Sequence, residues 1–69
     1  MKGTIRVNGE SRPLDVANLL ELLRALEIDP EGRGTAVAMN GEVVPRSAWA
    51  DTAIRAGDDL EIVRPFAGG

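Results

Sequence analysis

The chain closes on Phe66-Ala67-Gly68-Gly69, and its last carboxylate is the group best placed to react. A chain-terminal carboxyl has an ordinary pKa of ~3.5 and is ionised at neutral pH. Glycine has no side chain, so a Gly-Gly end passes through a channel too narrow for any other dipeptide. Inserted into another enzyme's site, such a carboxylate can attack the α-phosphate of ATP. The product is an acyl-adenylate, whose acyl group a sulfur or nitrogen nucleophile can take. Two glycines at the last two positions arise by chance in roughly one chain in 200. A frayed end is therefore the competing reading, and the other residues decide between the two.

Composition removes the rival chemistries. The 69 residues hold no Cys and no His. That leaves no disulfide and no thiol nucleophile, and it removes the side chain that titrates near neutral pH and most often ligates metals. A Ser nucleophile has no base partner, since Lys2 is the only lysine and histidine is absent. The formal charge is −3 and aromatic residues make up 3% of the chain, so neither a cationic track nor a stacking platform for bases is present. Gly32-Arg33-Gly34 lacks the Gly-Lys-Ser/Thr ending of a phosphate loop and precedes a strand pattern, so it reads as a flexible turn. Asp58-Asp59 reads as a turn pair at a strand entrance in preference to a metal site.

The elements that must position the tail are legible from periodicity. Thr4-Ile5-Arg6-Val7 alternates as a half-buried strand, and Asn8-Gly9 supplies the two φ > 0 positions of a type I′ turn. Ser11 to Leu14 is the return strand, and Pro13 places it at a sheet edge. Asp15 is the expected N-cap of a helix, with Leu14 and Leu19 as its staple. Val16, Leu19, Leu20, Leu22, Leu23 and Leu26 fall within roughly 160° of helical arc and form its core stripe. Pro30 disfavours helix at Asp29, so the helix is expected to end near Glu27.

Beyond the loop Asp29–Gly34, Thr35 to Met39 alternates again, and Asn40-Gly41 signals a second hairpin into Glu42-Val43-Val44. Pro45 to Ala50 reads as a short helical turn capped by Ser47, with Trp49 as a core plug. Ala56–Asp59 is a turn and Leu60–Val63 the last strand, which Pro65 ends. One long helix across one face of a mixed sheet of four to five strands is the α+β, β-grasp plan, with the first and last strands adjacent in its middle. The domain is expected over residues 1–65 and a flexible Gly-Gly tail over 66–69, reaching roughly 14 Å past Pro65 at ~3.4 Å per residue.

Several segments together resemble the ThiS family of ubiquitin-like sulfur carriers of thiamin biosynthesis. They are Asn8 after Ile-x-Val, Met39-Asn40-Gly41-Glu42-Val43-Val44-Pro45-Arg46, Trp49, Gly57-Asp58 and the Ala67-Gly68-Gly69 end. The resemblance covers essentially the whole chain, and Asn-Gly-x-x-Val-Pro-Arg-x-x-Trp is its specific part. It implies that Gly69 is adenylated by an E1-like enzyme using ATP, converted to a thiocarboxylate, and passes its sulfur to thiazole synthase. Gly68, with Ala67 and Phe66, would thread the partner's channel. A sulfur-donating enzyme is a further implied partner, and no permanently bound cofactor is expected. A chain without Cys must hold sulfur elsewhere, and the terminal acyl group is the place available.

With Ile5, Val37, Met39, Leu60 and Ile62 toward the helix, alternation puts Thr4, Arg6, Ala36, Ala38, Glu61 and Val63 on the other face. Ala36, Ala38 and Val63, with Phe66, are the expected partner-binding patch. Rival readings are a carrier for molybdopterin synthase, cysteine synthesis or tRNA thiolation, a ubiquitin-like modifier, and a β-grasp binding module whose Gly-Gly end is incidental. No signal peptide or membrane-spanning run is visible, so a cytoplasmic location is expected and neither nucleic acid nor membrane is an expected partner.

Overall fold

The computed structural model describes residues 3–64. Alternation gives β1 (Thr4–Val7), which buries Ile5 and Val7 and exposes Thr4 and Arg6. Asn8 and Gly9 follow at φ 52° and 86°, the left-handed pair that an Asn-Gly turn supplies, and reverse the chain into β2 (Glu10–Pro13). β2 pairs only with β1 and forms a sheet edge, where Pro13 has no ladder bond to withhold. The helix α1 (Leu19–Ala25) then crosses the sheet. β3 (Ala36–Met39) and β4 (Glu42–Val44) form the second hairpin, around Asn40 and Gly41 at φ 53° and 87°. A 3₁₀ helix (Arg46–Asp51) and β5 (Asp59–Val63) complete the order.

The five strands lie in the order β2-β1-β5-β3-β4. β5 is central, parallel to β1 and antiparallel to β3. The β-grasp expectation holds, with the first and last strands side by side. Between the sheet and α1 lies a core of Ile5, Val7, Leu19, Leu22, Leu23, Val37, Trp49, Ile54, Leu60 and Ile62, with Met39, Val44 and Leu26 packed on its margin. At ~25 cal/mol per Å² of apolar surface, burying side chains of this size contributes on the order of 2 kcal/mol each before the cost of ordering them.

Two local expectations are corrected. The helix starts at Leu19 with Asn18 as its N-cap, not at Asp15. The Asn18 side chain accepts the Glu21 N–H at 2.8 Å, and the Glu21 carboxylate accepts the Ala17 N–H at 2.9 Å, a reciprocal box. Residues before it are held extended: Ile54 N–H donates to Ala17 O and Leu19 N–H to Thr52 O. Val16 packs on the core from this extended segment.

The helix closes near Glu27, as expected: Ala25 is its last helical residue and Leu26 its C-cap. Ile28 N–H bonds Leu23 O at 2.8 Å and Glu27 N–H bonds Arg24 O at 3.0 Å, the paired bonds of a Schellman closure. That closure requires a left-handed residue, and Glu27 fills it at φ 61°. Lastly, Ser47 caps nothing. Pro45 precedes the 3₁₀ helix, which is pinned by Trp49 Nε1–H to Val44 O at 2.8 Å and by Thr52 Oγ1–H to Ala48 O at 2.6 Å.

Glu27 is exposed and holds a backbone conformation that costs an L-residue about 1 kcal/mol, which glycine does not incur. Glu27→Gly is therefore expected to raise unfolding stability by about 1 kcal/mol in a urea titration. A lower urea midpoint contradicts the Schellman assignment.

Candidate functional site

The site is built where β5 hands the chain on. β5 alternates, so Leu60 and Ile62 are buried while Asp59, Glu61 and Val63 point to solvent. Its register with β3 sets Ala36 beside Val63 and Ala38 beside Glu61. The predicted patch residues Ala36, Ala38 and Val63 are thus brought together on the face opposite α1. Val63 is 62% exposed, Ala36 is exposed and Ala38 is half-buried.

The patch has one further member that sequence reasoning left out. The two-residue turn at Asn40-Gly41 pairs Ala38 with Val43, and cross-strand partners share a face. Val43 is 77% exposed, more than Val63. Two small alanines therefore form a shallow floor between two projecting valines, with Glu61 beside them. An apolar surface of this form suits contact with another protein. The hairpin register implied by Asn40-Gly41 was the signal that could have found Val43.

The predicted tail residues Phe66, Ala67, Gly68 and Gly69 lie outside the described residues, as does the boundary at Pro65. The last described residue is Arg64, directly after β5. The end of β5 is held on both sides: Val63 pairs with Ala36 of β3, and the Asn8 side chain bonds Ile62. The entrance of β5 is held by Asn40, whose Oδ1 accepts the Asp59 N–H at 2.9 Å and whose Nδ2 donates to Asp58 at 3.0 Å. The Asp58 carboxylate also accepts the Arg55 N–H at 2.8 Å, so it serves the turn, as expected.

The residues of the Val-Pro-Arg-x-x-Trp stretch have structural work. Arg46 donates to Pro30 O and Gly32 O, each at 2.7 Å, and its guanidinium lies 5.2 Å from the centre of the Trp49 ring. It ties the loop after α1 to the 3₁₀ helix, and Trp49 beneath it is buried. The spacing that makes the motif specific is the spacing this clamp needs. Among the described residues no cluster of His, Cys, Asp and Glu is arranged to hold a metal. No described helix is long and apolar enough to cross a membrane.

One main helix on a mixed five-stranded sheet, with the last described strand at its centre, defines a ubiquitin-like β-grasp protein. The chain belongs to the ThiS family, whose model matches residues 5–69. A thiamine biosynthesis protein (ThiS) from Geobacter metallireducens, solved as a crystal structure, superposes with a TM-score of 0.76 at 35% identity, covering 96% of this chain and 99% of that one. A thiazole synthase of Paramagnetospirillum magneticum is 40% identical over 63 residues, which are 91% of this chain and 19% of that protein. The sulfur carrier protein ThiS of Escherichia coli is 35% identical over 43 residues, 62% of this chain and 65% of the carrier. The chain thus spans a fifth of the first relative and just under two thirds of the second.

Proposed function

We propose that this chain is a sulfur carrier of thiamin biosynthesis: a protein co-substrate acted on by partner enzymes, with Gly69 as the residue that carries the sulfur. The observation that carries this reading is the family match, which runs through residues 5–69 and so takes in the Ala67-Gly68-Gly69 end. The lack of Cys and His leaves the terminal carboxylate as the evident reactive group.

The chemistry follows from that carboxylate. In an E1-like enzyme its oxygen attacks the α-phosphorus of ATP. A P–O bond forms, the bond to the bridging oxygen breaks, and pyrophosphate leaves. The mixed anhydride then takes a sulfide nucleophile at its acyl carbon, the C–O bond to AMP breaks, and a thiocarboxylate remains with its proton released to solvent. ATP is consumed by the partner, and a sulfur-donating enzyme supplies the sulfide. A thiocarboxylate is a stronger nucleophile than a carboxylate and delivers sulfur to the next enzyme.

Thiazole synthase is the proposed recipient. The support is that a segment 40% identical to this chain lies within a chain named thiazole synthase. Covalent union of carrier and acceptor raises their effective concentration for each other, an arrangement that suits successive steps of one pathway. This favours the thiazole branch over carriers for molybdopterin, cysteine or tRNA thiolation, and over a protein modifier. The body serves as the handle, with Val43, Ala38, Ala36 and Val63 as its docking patch and Phe66, Ala67 and Gly68 as the segment that enters the partner. A cytoplasmic setting, where ATP is plentiful, fits this role.

Two measurements test the reading. After incubation with the cognate E1-like enzyme, ATP and a sulfide source, the intact mass is expected to rise by the replacement of one oxygen with sulfur, and deletion of Gly69 is expected to abolish the rise. An unchanged mass in the intact chain contradicts the carrier role. Separately, Val63→Asp is expected to weaken binding to the E1-like enzyme about tenfold, ~1.4 kcal/mol, while circular dichroism shows the domain folded. Equal affinity of the variant and the parent removes the patch from the interface.

A further inference from the structure

β1 ends at Val7, yet the ladder it shares with β5 continues for one more rung. Along the parallel pair, Arg6 N–H donates to Asp58 O at 3.0 Å and Asn8 N–H to Leu60 O at 2.8 Å. In a regular parallel ladder the next bond runs from Ile62 N–H to the backbone carbonyl of residue 8. Here the backbone has turned away, because Asn8 takes φ 52° to open the hairpin. Its side chain stands in for the missing peptide: Oδ1 accepts the Ile62 N–H at 2.8 Å, and Nδ2 donates to Ile62 O at 3.2 Å.

Three demands meet at this position. The backbone must sit in the left-handed region, which Asn tolerates better than most residues. The side chain must offer an acceptor to one atom of Ile62 and a donor to the other, which Asp cannot do. It must be short enough to do both beside its own backbone, which Gln is not. Asn meets all three, whereas a turn alone is satisfied by Gly.

The bonded residue is the one that matters for the proposed chemistry. Ile62 lies in the last described strand, and the next residue, Val63, belongs to the patch. Without the Asn8 amide, the last part of β5 keeps, among the described residues, its pairing on the β3 side, through Ala36 and Val37. We propose that Asn8 is a positioning residue for the terminal reaction: its side-chain amide extends the β1–β5 ladder to Ile62 and fixes the direction in which the chain leaves the sheet toward a docked partner. This rests on the carrier reading and adds a residue to it that never touches the reacting atoms.

The test compares two tethers on the same strand. Asn8→Gly keeps the left-handed backbone and removes the bonds at the exit. Asn40→Gly does the same at the entrance, where the bonded residues are Asp58 and Asp59. Initial rates of pyrophosphate release are measured with the cognate E1-like enzyme over a range of carrier concentrations, at a temperature where both variants are folded. Asn8→Gly is expected to lower kcat about tenfold with KM within twofold, because a misdirected end is docked but unproductive. Asn40→Gly is expected to leave both constants within twofold. In Asn8→Gly the Ile62 amide is also expected to exchange its hydrogen faster than in the parent.

Equal kcat for the two variants overturns the positioning role, as does unchanged Ile62 exchange in Asn8→Gly. A parent chain that releases no pyrophosphate overturns the carrier reading itself, and the positioning role with it. Should Asn8→Gly fail to fold, Asn8→Asp replaces it in the comparison. That variant keeps the acceptor for the Ile62 N–H but loses the donor, and it is expected to fall between the parent and the full loss. A kcat equal to the parent's contradicts the proposal in the same way.

Discussion

β5 hydrogen-bonds to β1 on one side and to β3 on the other, so the last strand of the sequence occupies the middle of the sheet. Joining the two ends of the chain in this way closes a long loop, at an entropic cost that grows only slowly with length. What offsets it is burial on the helix side, where Leu60, Leu19, Leu23 and Val37 are fully buried in the core. Parallel pairing in turn demands a crossover, and α1 provides it while covering the apolar face of the sheet. The other elements follow from the same constraint. Each Asn-Gly hairpin flanks β5 and sends an asparagine side chain to it, one to its entrance and one to its exit. Among the described residues, no buried side-chain nitrogen or oxygen lacks a partner. The strand that hands the chain on is thus gripped at both ends.

Much of this was legible because the signals are local. The type I′ chemistry of Asn8-Gly9 and Asn40-Gly41 fixes two registers outright. Alternation then assigns Ile5, Val37, Leu60 and Ile62 to the core, and Pro13 marks the edge. The helix start was not legible in the same way. Asp15 and Asn18 are both good caps by residue type, and what selects Asn18 is Glu21 three residues on together with a bridge from Asn18 to Ala53 far along the chain. Pro30 made the close near Glu27 legible, but not its left-handed form, because a glutamate fills a position where glycine is usual. Ser47 lost its expected capping role because Trp49 and Pro45 set the 3₁₀ helix instead.

The candidate site divides along the same line. Residue chemistry pointed to Gly69 by elimination, and alternation pointed to Ala36, Ala38 and Val63. Val43 needed the hairpin register carried one step further. Asn8 could be read as a turn residue but not as a tether, since its partner Ile62 lies 54 residues away. The Pro45-Arg46-x-x-Trp49 stretch is the reverse case. It was the most specific part of the family resemblance, and the structure gives it a job in holding the loop at Pro30 and Gly32. Specific sequence signals and reactive groups are different things in this chain.

On the proposed reading the body presents an apolar face to the partner, and the chain end would be the part that undergoes chemistry. The most direct test of this reading is competition. A chain lacking Gly68 and Gly69 keeps the whole described body, so it is expected to inhibit adenylation of the full chain competitively, with an inhibition constant close to the KM of the full chain. Absence of inhibition at concentrations far above that KM would show that the enzyme recognises the terminal glycines without the β-grasp body, and would contradict the account.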